Sequence, residues 1–339
     1  MTKLNIEDIA KLAGVSSATV SRVIHSPQKV RPETRRRVCQ LFEKHHYIYN
    51  ATAADLSRQK TKVIGLLVPT TRSPVFANSV LAVQEQCQNY GYSVFLGNTQ
   101  YDAQTEERLI RQFQERRVAG MILTGFAFGR EQLVTDLIEA GLPTVVIWEK
   151  LDDPLINYVG FDNFQTAYVM TNYLINLGHR RIGLIMGPYS KVGRVRKRWE
   201  GFRAAMAEKG LKIEPGLVIE KEPTLKNGEE AMAQLLNHHK RPTAVFAASD
   251  VFAIGALKAA KERGLMVPRD ISIAGHDDID FAAYSTPSLT TVRVPSYEIG
   301  RLAVEVLLSK IENNKGRSRQ HCLETKLVIR ESCGKRKVR

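Results

Sequence analysis

The chain has 339 residues, a net charge of +14, 43% hydrophobic residues and 25% charged residues. That length is too great for one small domain and suggests two or three units, with the composition of an ordinary soluble globular protein. Cys39, Cys87, Cys322 and Cys333 are widely separated and form no C-x-x-C, which excludes a disulfide framework and a zinc site. No apolar run approaches the ~18 residues of a membrane span, and the start leads straight into an amphipathic helix rather than a signal segment, so a cytoplasmic protein with no membrane partner is expected. The charge is uneven: residues 1–60 carry +6, the last six residues +4, and the long stretch between them only +4. Basicity gathered at one end suits a phosphate-contacting surface.

In chain order, residues 6–24 predict two short helices around a tight turn. Ile6, Ile9, Ala10 and Ala13 recur at helical spacing, Gly14 permits the left-handed backbone that ends a helix, and Ser16 can cap the next one. Val20, Val23 and Ile24 give the second helix a buried face. Its other face carries Ser17, Ala18, Thr19, Ser21 and Arg22, small hydroxyls plus one fork of donors, which suits a helix in a DNA major groove. Pro32 opens a third helix with Val38, Leu41 and Phe42 on its apolar face. Arg35, Arg36 and Arg37 form a charge run divided between phosphate contact and solvation. Residues 47–56 are weakly amphipathic and too short to form a stable helix alone, so they read as a connector that orders on docking.

From Lys62 the pattern changes. Apolar runs at 63–68, 93–96, 120–123, 144–147, 181–186, 244–247 and 271–274 alternate with helix-length patterns near 76–90, 103–117, 130–140, 164–178, 198–210, 226–238 and 251–263. Strand and helix alternating at this interval predict parallel sheets covered on both faces. The runs fall into two groups that part around residues 150–165, which gives two α/β lobes with a ligand cleft at their strand ends. Segments 289–292 and 326–329 would run between the lobes.

On these residues the chain resembles the lactose/galactose repressor (LacI/GalR) family over essentially its whole length. The matching stretches are Asp8-Ile9-Ala10, Ala13-Gly14-Val15-Ser16, Thr19-Val20-Ser21-Arg22, Thr34-Arg35, Tyr47 with Asn50, Gly178-His179-Arg180, Arg198-Trp199-Glu200-Gly201-Phe202, Pro268 through Asp277, and Leu289-Thr290-Thr291-Val292. The resemblance implies an all-α helix-turn-helix domain at 1–46, a hinge helix and linker at 47–61, and a two-lobed, periplasmic-binding-protein-like effector and dimerisation domain at 62–330. Lobe 1 would take about 62–160 and 293–320, and lobe 2 about 161–290 and 322–330. A basic tail at 331–339, expected to be disordered, follows.

The resemblance further implies a homodimer on a near-palindromic double-stranded DNA operator. Ser17, Ala18 and Arg22 would read bases, and Ser16, Thr19 and Ser21 would tend towards the backbone. His25, where the family usually has Asn, Thr34, Tyr47 and Asn50 complete the DNA set, with Ala53 and Leu56 wedging into the minor groove. Arg31 stands where the family often has a capping Ser, and Tyr49 where it has Pro. In the cleft the resemblance points to Arg198 and Asp277, with Ser249 and Asp250 at a strand end and Phe76 and Trp148 as apolar walls. Asp250 is alternatively a helix cap, and Trp148 plain core.

Arg194, one of three extra cations with Arg196 and Lys197 leading to Arg198, points to an anionic effector such as a sugar acid or sugar phosphate. No cofactor is expected. The chain has no G-x-G-x-x-G, G-x-x-x-x-G-K or H-E-x-x-H, which argues against an enzyme. The expectation is a repressor of carbohydrate or sugar-acid metabolism genes. The alternatives are a two-lobed solute-binding protein and a corepressor-armed regulator of non-sugar metabolism.

Overall fold

The structure, a computed structural model, describes residues 4–49, 61–127, 129–313 and 318–336. It divides into two units, one ending at Thr61 and one beginning at Lys62.

In the first unit, α1 (Ile6–Ala13) starts at a capping box in which Asn5 accepts from the Glu7 and Asp8 amides while Asp8 takes the Asn5 amide. It ends at Gly14, whose φ of 63° is left-handed. Helix α2 (Ser17–His25) is capped by Ser16, which accepts the Thr19 amide at 3.2 Å. Helix α3 (Pro32–Lys44) begins with Pro and has no side-chain cap from Arg31. Ile9, Ala10, Ala13, Val20, Val23 and Val38 are buried together, with Leu41, Phe42 and Tyr47 packed around them. Each Val or Ile buried contributes about 1.5–3 kcal/mol, so a core this small leaves the unit only marginally stable and dependent on its caps.

The second unit holds two parallel sheets. In lobe 1, β1 (Val63–Val68), β2 (Ser93–Asn98), β3 (Gly120–Thr124), β4 (Thr144–Ile147), β5 (Asn157–Gly160) and β11 (Gln320–Cys322) lie in the order β11-β5-β4-β3-β1-β2. The inner strands read as continuous Val/Ile/Leu runs because both faces are covered. Helices α4 (Pro74–Asn89) and α12 (Ser296–Glu312) close one face, and α5 (Ala103–Glu115) and α6 (Glu131–Glu139) the other.

Lobe 2 has the order β7-β6-β8-β9, from β6 (Ile182–Met186), β7 (Val218–Glu220), β8 (Ala244–Ala247) and β9 (Ser272–Ala274). Helices α7 (Asn163–Asn176) and α8 (Gly193–Glu208) cover one face, and α9 (Leu225–Asn237) and α10 (Asp250–Glu262) the other. A short helix α11 (Asp280–Tyr284) leads to β10 (Thr291–Arg293), which pairs antiparallel with β12 (Lys326–Val328). The chain passes between lobes after β5, after β10 and between β11 and β12. Among the described residues no helix is long and apolar enough to cross a membrane.

Two features depart from the sequence reading. Residues 296–312, outside the helices that periodicity predicts, form the 17-residue α12; it packs on both α4 and the sheet, so its apolar residues are not confined to one narrow stripe. The start of the tail is ordered rather than disordered. Ser332 is fully buried, the Gly334 amide donates to Ser272 Oγ at 3.1 Å, and the Arg336 amide donates to the Leu177 carbonyl at 2.8 Å. Backbone hydrogen bonds to lobe 2 outweigh the charge repulsion that composition alone suggested.

Candidate functional site

The strand ends of the two lobes face each other across a cleft of about 160 Å³. Phe76 opens α4, Gln100 and Tyr101 follow β2, and Trp148 follows β4, forming the lobe 1 wall. Opposite them, Lys191, Arg194 and Arg198 come from the β6–α8 segment, Glu222 follows β7, Ser249 follows β8, and Asp277 follows β9. Loops after parallel strands and the first turns of the helices that follow them thus supply the lining, the usual ligand position in open α/β sheets. Gln100, Tyr101, Trp148 and Asp277 have φ of 55°, 58°, 75° and 120°. Non-glycine residues held left-handed store strain, and here they cluster at the cleft.

Arg198 is fixed before any ligand arrives. Its Nε donates to Asn163 Oδ1 at 2.9 Å and its Nη1 to the Ala248 carbonyl at 2.7 Å. Burial lowers its pKa to about 10, partly offset by Asp277. Asp277 accepts from Ser249 Oγ at 3.0 Å and lies 2.9 Å from His276 Nδ1, whose other nitrogen is 3.1 Å from Thr166 Oγ1. Burial, helped by Arg198, drops the fully enclosed His276 to a pKa of about 4, so the ring is neutral at pH 7. The site therefore offers a buried guanidinium and a facing carboxylate, which can hold a pair of ligand hydroxyls or a polar ring edge.

Arg194 belongs to lobe 2, yet lobe 1 holds it. Its Nη1 donates to the Thr124 carbonyl at 3.2 Å and lies 3.9 Å from Glu149 Oε1, while its amide donates to the same carboxylate at 3.2 Å. The Phe76 and Tyr101 rings stand 5.4 and 5.9 Å from its guanidinium. Burial raises the Glu149 pKa, and Arg194 counteracts part of that. Arg196 and Lys197 turn away and pair with Glu200 at 3.3 and 3.6 Å. Cleft charge is consequently balanced, Lys191, Arg194 and Arg198 against Asp102, Glu222 and Asp277.

In the first unit, Ser17, Ala18, Arg22 and His25 are exposed on α2, with Thr19 and Ser21 half-buried, opposite the buried Val20 and Val23. Ser16 and Thr19 also contact through their hydroxyls at 3.0 Å. The result is a polar, exposed helix face opposite the buried one.

The description "Bacterial regulatory proteins, lacI family" matches residues 5–50, and "Periplasmic binding protein-like domain" matches residues 171–333. The HTH-type transcriptional repressor PurR of Pasteurella multocida is 38% identical over 330 residues, 96% of this chain and 98% of the relative. The chain belongs to the lacI family. Among solved lacI-family structures, the lac repressor dimer bound to operator and an anti-inducer superposes with a TM-score of 0.85 at 25% identity, covering 98% of this chain and 99% of that one. A CelR–cellobiose complex gives 0.72 at 31% identity, covering 97% and 99%. The chain is thus a transcriptional regulator with a helix-turn-helix domain and a two-lobed α/β domain built on parallel sheets.

Not every residue singled out from the sequence stands where that reading put it. Phe76, Trp148, Arg194, Arg198, Ser249 and Asp277 line one cleft. Asp250 does not: fully buried beneath the floor, it accepts from Thr291 Oγ1 at 2.6 Å and the Ile279 amide at 2.9 Å. Nor is it a cap, since Ser249 holds the N-cap position of α10, its hydroxyl turned to Asp277 rather than to the helix amides. Burial and the Asp277 charge raise the Asp250 pKa.

Tyr47 is half-buried and stacks on Phe42 at 5.1 Å, so its ring serves the small core rather than standing free on the surface. Thr34 is half-buried on α3. Asn50, Ala53 and Leu56 lie outside the described residues. Unforeseen cleft residues are Gln100, Tyr101, Lys191 and Glu222, with Glu149 behind them. Glu149 alone left a signal, as a carboxylate closing the apolar run Thr144-Val145-Val146-Ile147-Trp148.

Proposed function

We propose that this lacI-family regulator acts in the cytoplasm as a homodimeric repressor of carbohydrate metabolism genes, binding a near-palindromic operator through α2 and changing its affinity when a sugar occupies the cleft. The observation that carries the reading is the placing of Arg198 and Asp277 together on the lobe 2 wall of a cleft of balanced charge, faced by Phe76 and Trp148 from lobe 1. Paired hydrogen bonds suit vicinal hydroxyls, and ring faces suit the apolar side of a pyranose or furanose. Balanced charge favours a neutral sugar and weighs against a sugar phosphate, which would bring about −1.5 to −2 charges into it. The relative crystallised with cellobiose supports the same ligand class.

A sugar acid is the second reading, favoured by one observation: the Arg194–Glu149 contact is long, 3.9 Å, so Arg194 can exchange Glu149 for a ligand carboxylate. A thermal-shift panel of neutral sugars, sugar acids and sugar phosphates separates the readings. A ligand at ~100 times its dissociation constant stabilises by about 2.7 kcal/mol. Shifts from neutral sugars that vanish in Arg198→Lys support the first reading; shifts confined to sugar acids and lost in Arg194→Ala support the second; shifts confined to phosphates contradict both.

A further inference from the structure

Far from the cleft, at the opposite ends of the lobe 2 strands, lies a hollow of about 580 Å³ that the regulator's DNA and effector sites do not use. Arg241 borders it from the turn before β8, Arg269 and Asp270 from the segment before β9, and Lys335 and Arg336 from the ordered tail. Among the described residues its one carboxylate, Asp270, is engaged by Arg269 through Nε at 3.2 Å and Nη2 at 3.1 Å. Among the described residues, Arg241, Lys335 and Arg336 form no ion pair.

The tail cations are held in place. His179 Nε2 lies 3.0 Å from Ser272 Oγ and 3.2 Å from the Gly334 carbonyl, and the Arg336 amide is tied to Leu177, so Lys335 sits between two anchored neighbours. Gathering cations of one sign in a concave wall costs Coulomb energy as well as chain entropy, and a multivalent anion offsets both.

We propose that this hollow is a second ligand site, for a small oligophosphate anion of two or three phosphate groups. Four cations against one carboxylate leave an excess of three, which such an anion matches. Beside the Arg269–Asp270 pair, Arg241 and Arg336 present planar guanidinium forks, which take phosphate oxygens two at a time. The concave shape favours a compact anion over the convex backbone of a DNA duplex, and the balanced effector cleft offers no comparable excess.

The test is calorimetric titration of inorganic triphosphate into the full-length protein at 0.15 M salt, with sulfate at equal ionic strength as the screening control. Two double variants are compared: Arg241→Glu with Lys335→Glu in the hollow, all exposed positions, and Arg35→Ala with Arg36→Ala on α3. The expected result is one site per chain that sulfate does not reproduce, weakened by about tenfold or more in the hollow variant and retained in the α3 variant. Operator affinity of the hollow variant should equal that of the wild type. Absence of triphosphate binding, equal binding of sulfate, loss only in the α3 variant, or loss of operator affinity in the hollow variant would each overturn the proposal.

Discussion

Asp250 and Asp277 show how differently two nearby carboxylates of one loop cluster can be used. Asp277 faces the cleft in a left-handed backbone that ordinary Asp rarely adopts, while Asp250 ties Thr291 and Ile279 together underneath it. His276 joins them as a neutral ring, and this has a pH consequence. Its folded pKa of about 4 lies below the ordinary 6.5, so its contribution to stability is complete above pH 6.5 and is lost as pH falls through about 4. The loss should be on the order of 3 kcal/mol. Urea unfolding at pH 7.5 and 4.5 should show a smaller acid-induced drop in His276→Gln than in the wild type; equal drops would mean His276 is not the group responsible.

On α2, Arg22 is the one long donor on the exposed face. Arg22→Ala should cost about 1–3 kcal/mol on the operator and much less on random DNA in anisotropy titrations. Equal losses on both would reduce Arg22 to a phosphate contact.

At the scale of elements, legibility followed periodicity. Strands such as Val63–Val68 and Thr144–Ile147 announced themselves because central parallel strands are apolar throughout. The strands β5, β7 and β11, three or four residues each, are too short to produce a pattern, and β11 (Gln320–Cys322) is a polar edge. The cleft was half legible: Arg198 and Asp277 sit in family motifs, whereas Gln100 and Tyr101 reach it through positive φ angles that no local propensity foretells for those residues.

Close helix packing leaves its own mark in the Arg198-Trp199-Glu200-Gly201-Phe202 motif. Gly201 on α8 lets α7 approach so tightly that a Cβ there would lie 2.2 Å from the Phe164 carbonyl oxygen. Gly201→Ala should therefore destabilise the second unit by about 1–3 kcal/mol, seen as a lower Tm. An unchanged Tm would show that α7 and α8 can slide apart freely.

For the molecule as a whole, lobe 2 leaves Tyr284, Phe281 and Leu225 exposed at 86%, 65% and 54%. Large apolar side chains in the open point to association between copies of the chain. Sedimentation equilibrium at micromolar concentration should give the mass of two chains, and Tyr284→Arg should shift it towards one. A mass near four chains would contradict this assembly.

On the proposed function, occupancy of the cleft changes the grip on DNA. A ligand can do this only through different affinities for two lobe arrangements, and the Arg194 contacts to Thr124 and Glu149 are of the kind that differ between them. The most direct measurement is operator binding by anisotropy, with and without the sugar that stabilises the protein most, in the wild type and in Asp277→Ala. The wild type should change affinity by about 5- to 150-fold, in either direction, and Asp277→Ala should bind operator normally but lose the response. A saturating sugar that leaves wild-type operator affinity unchanged would contradict the claim.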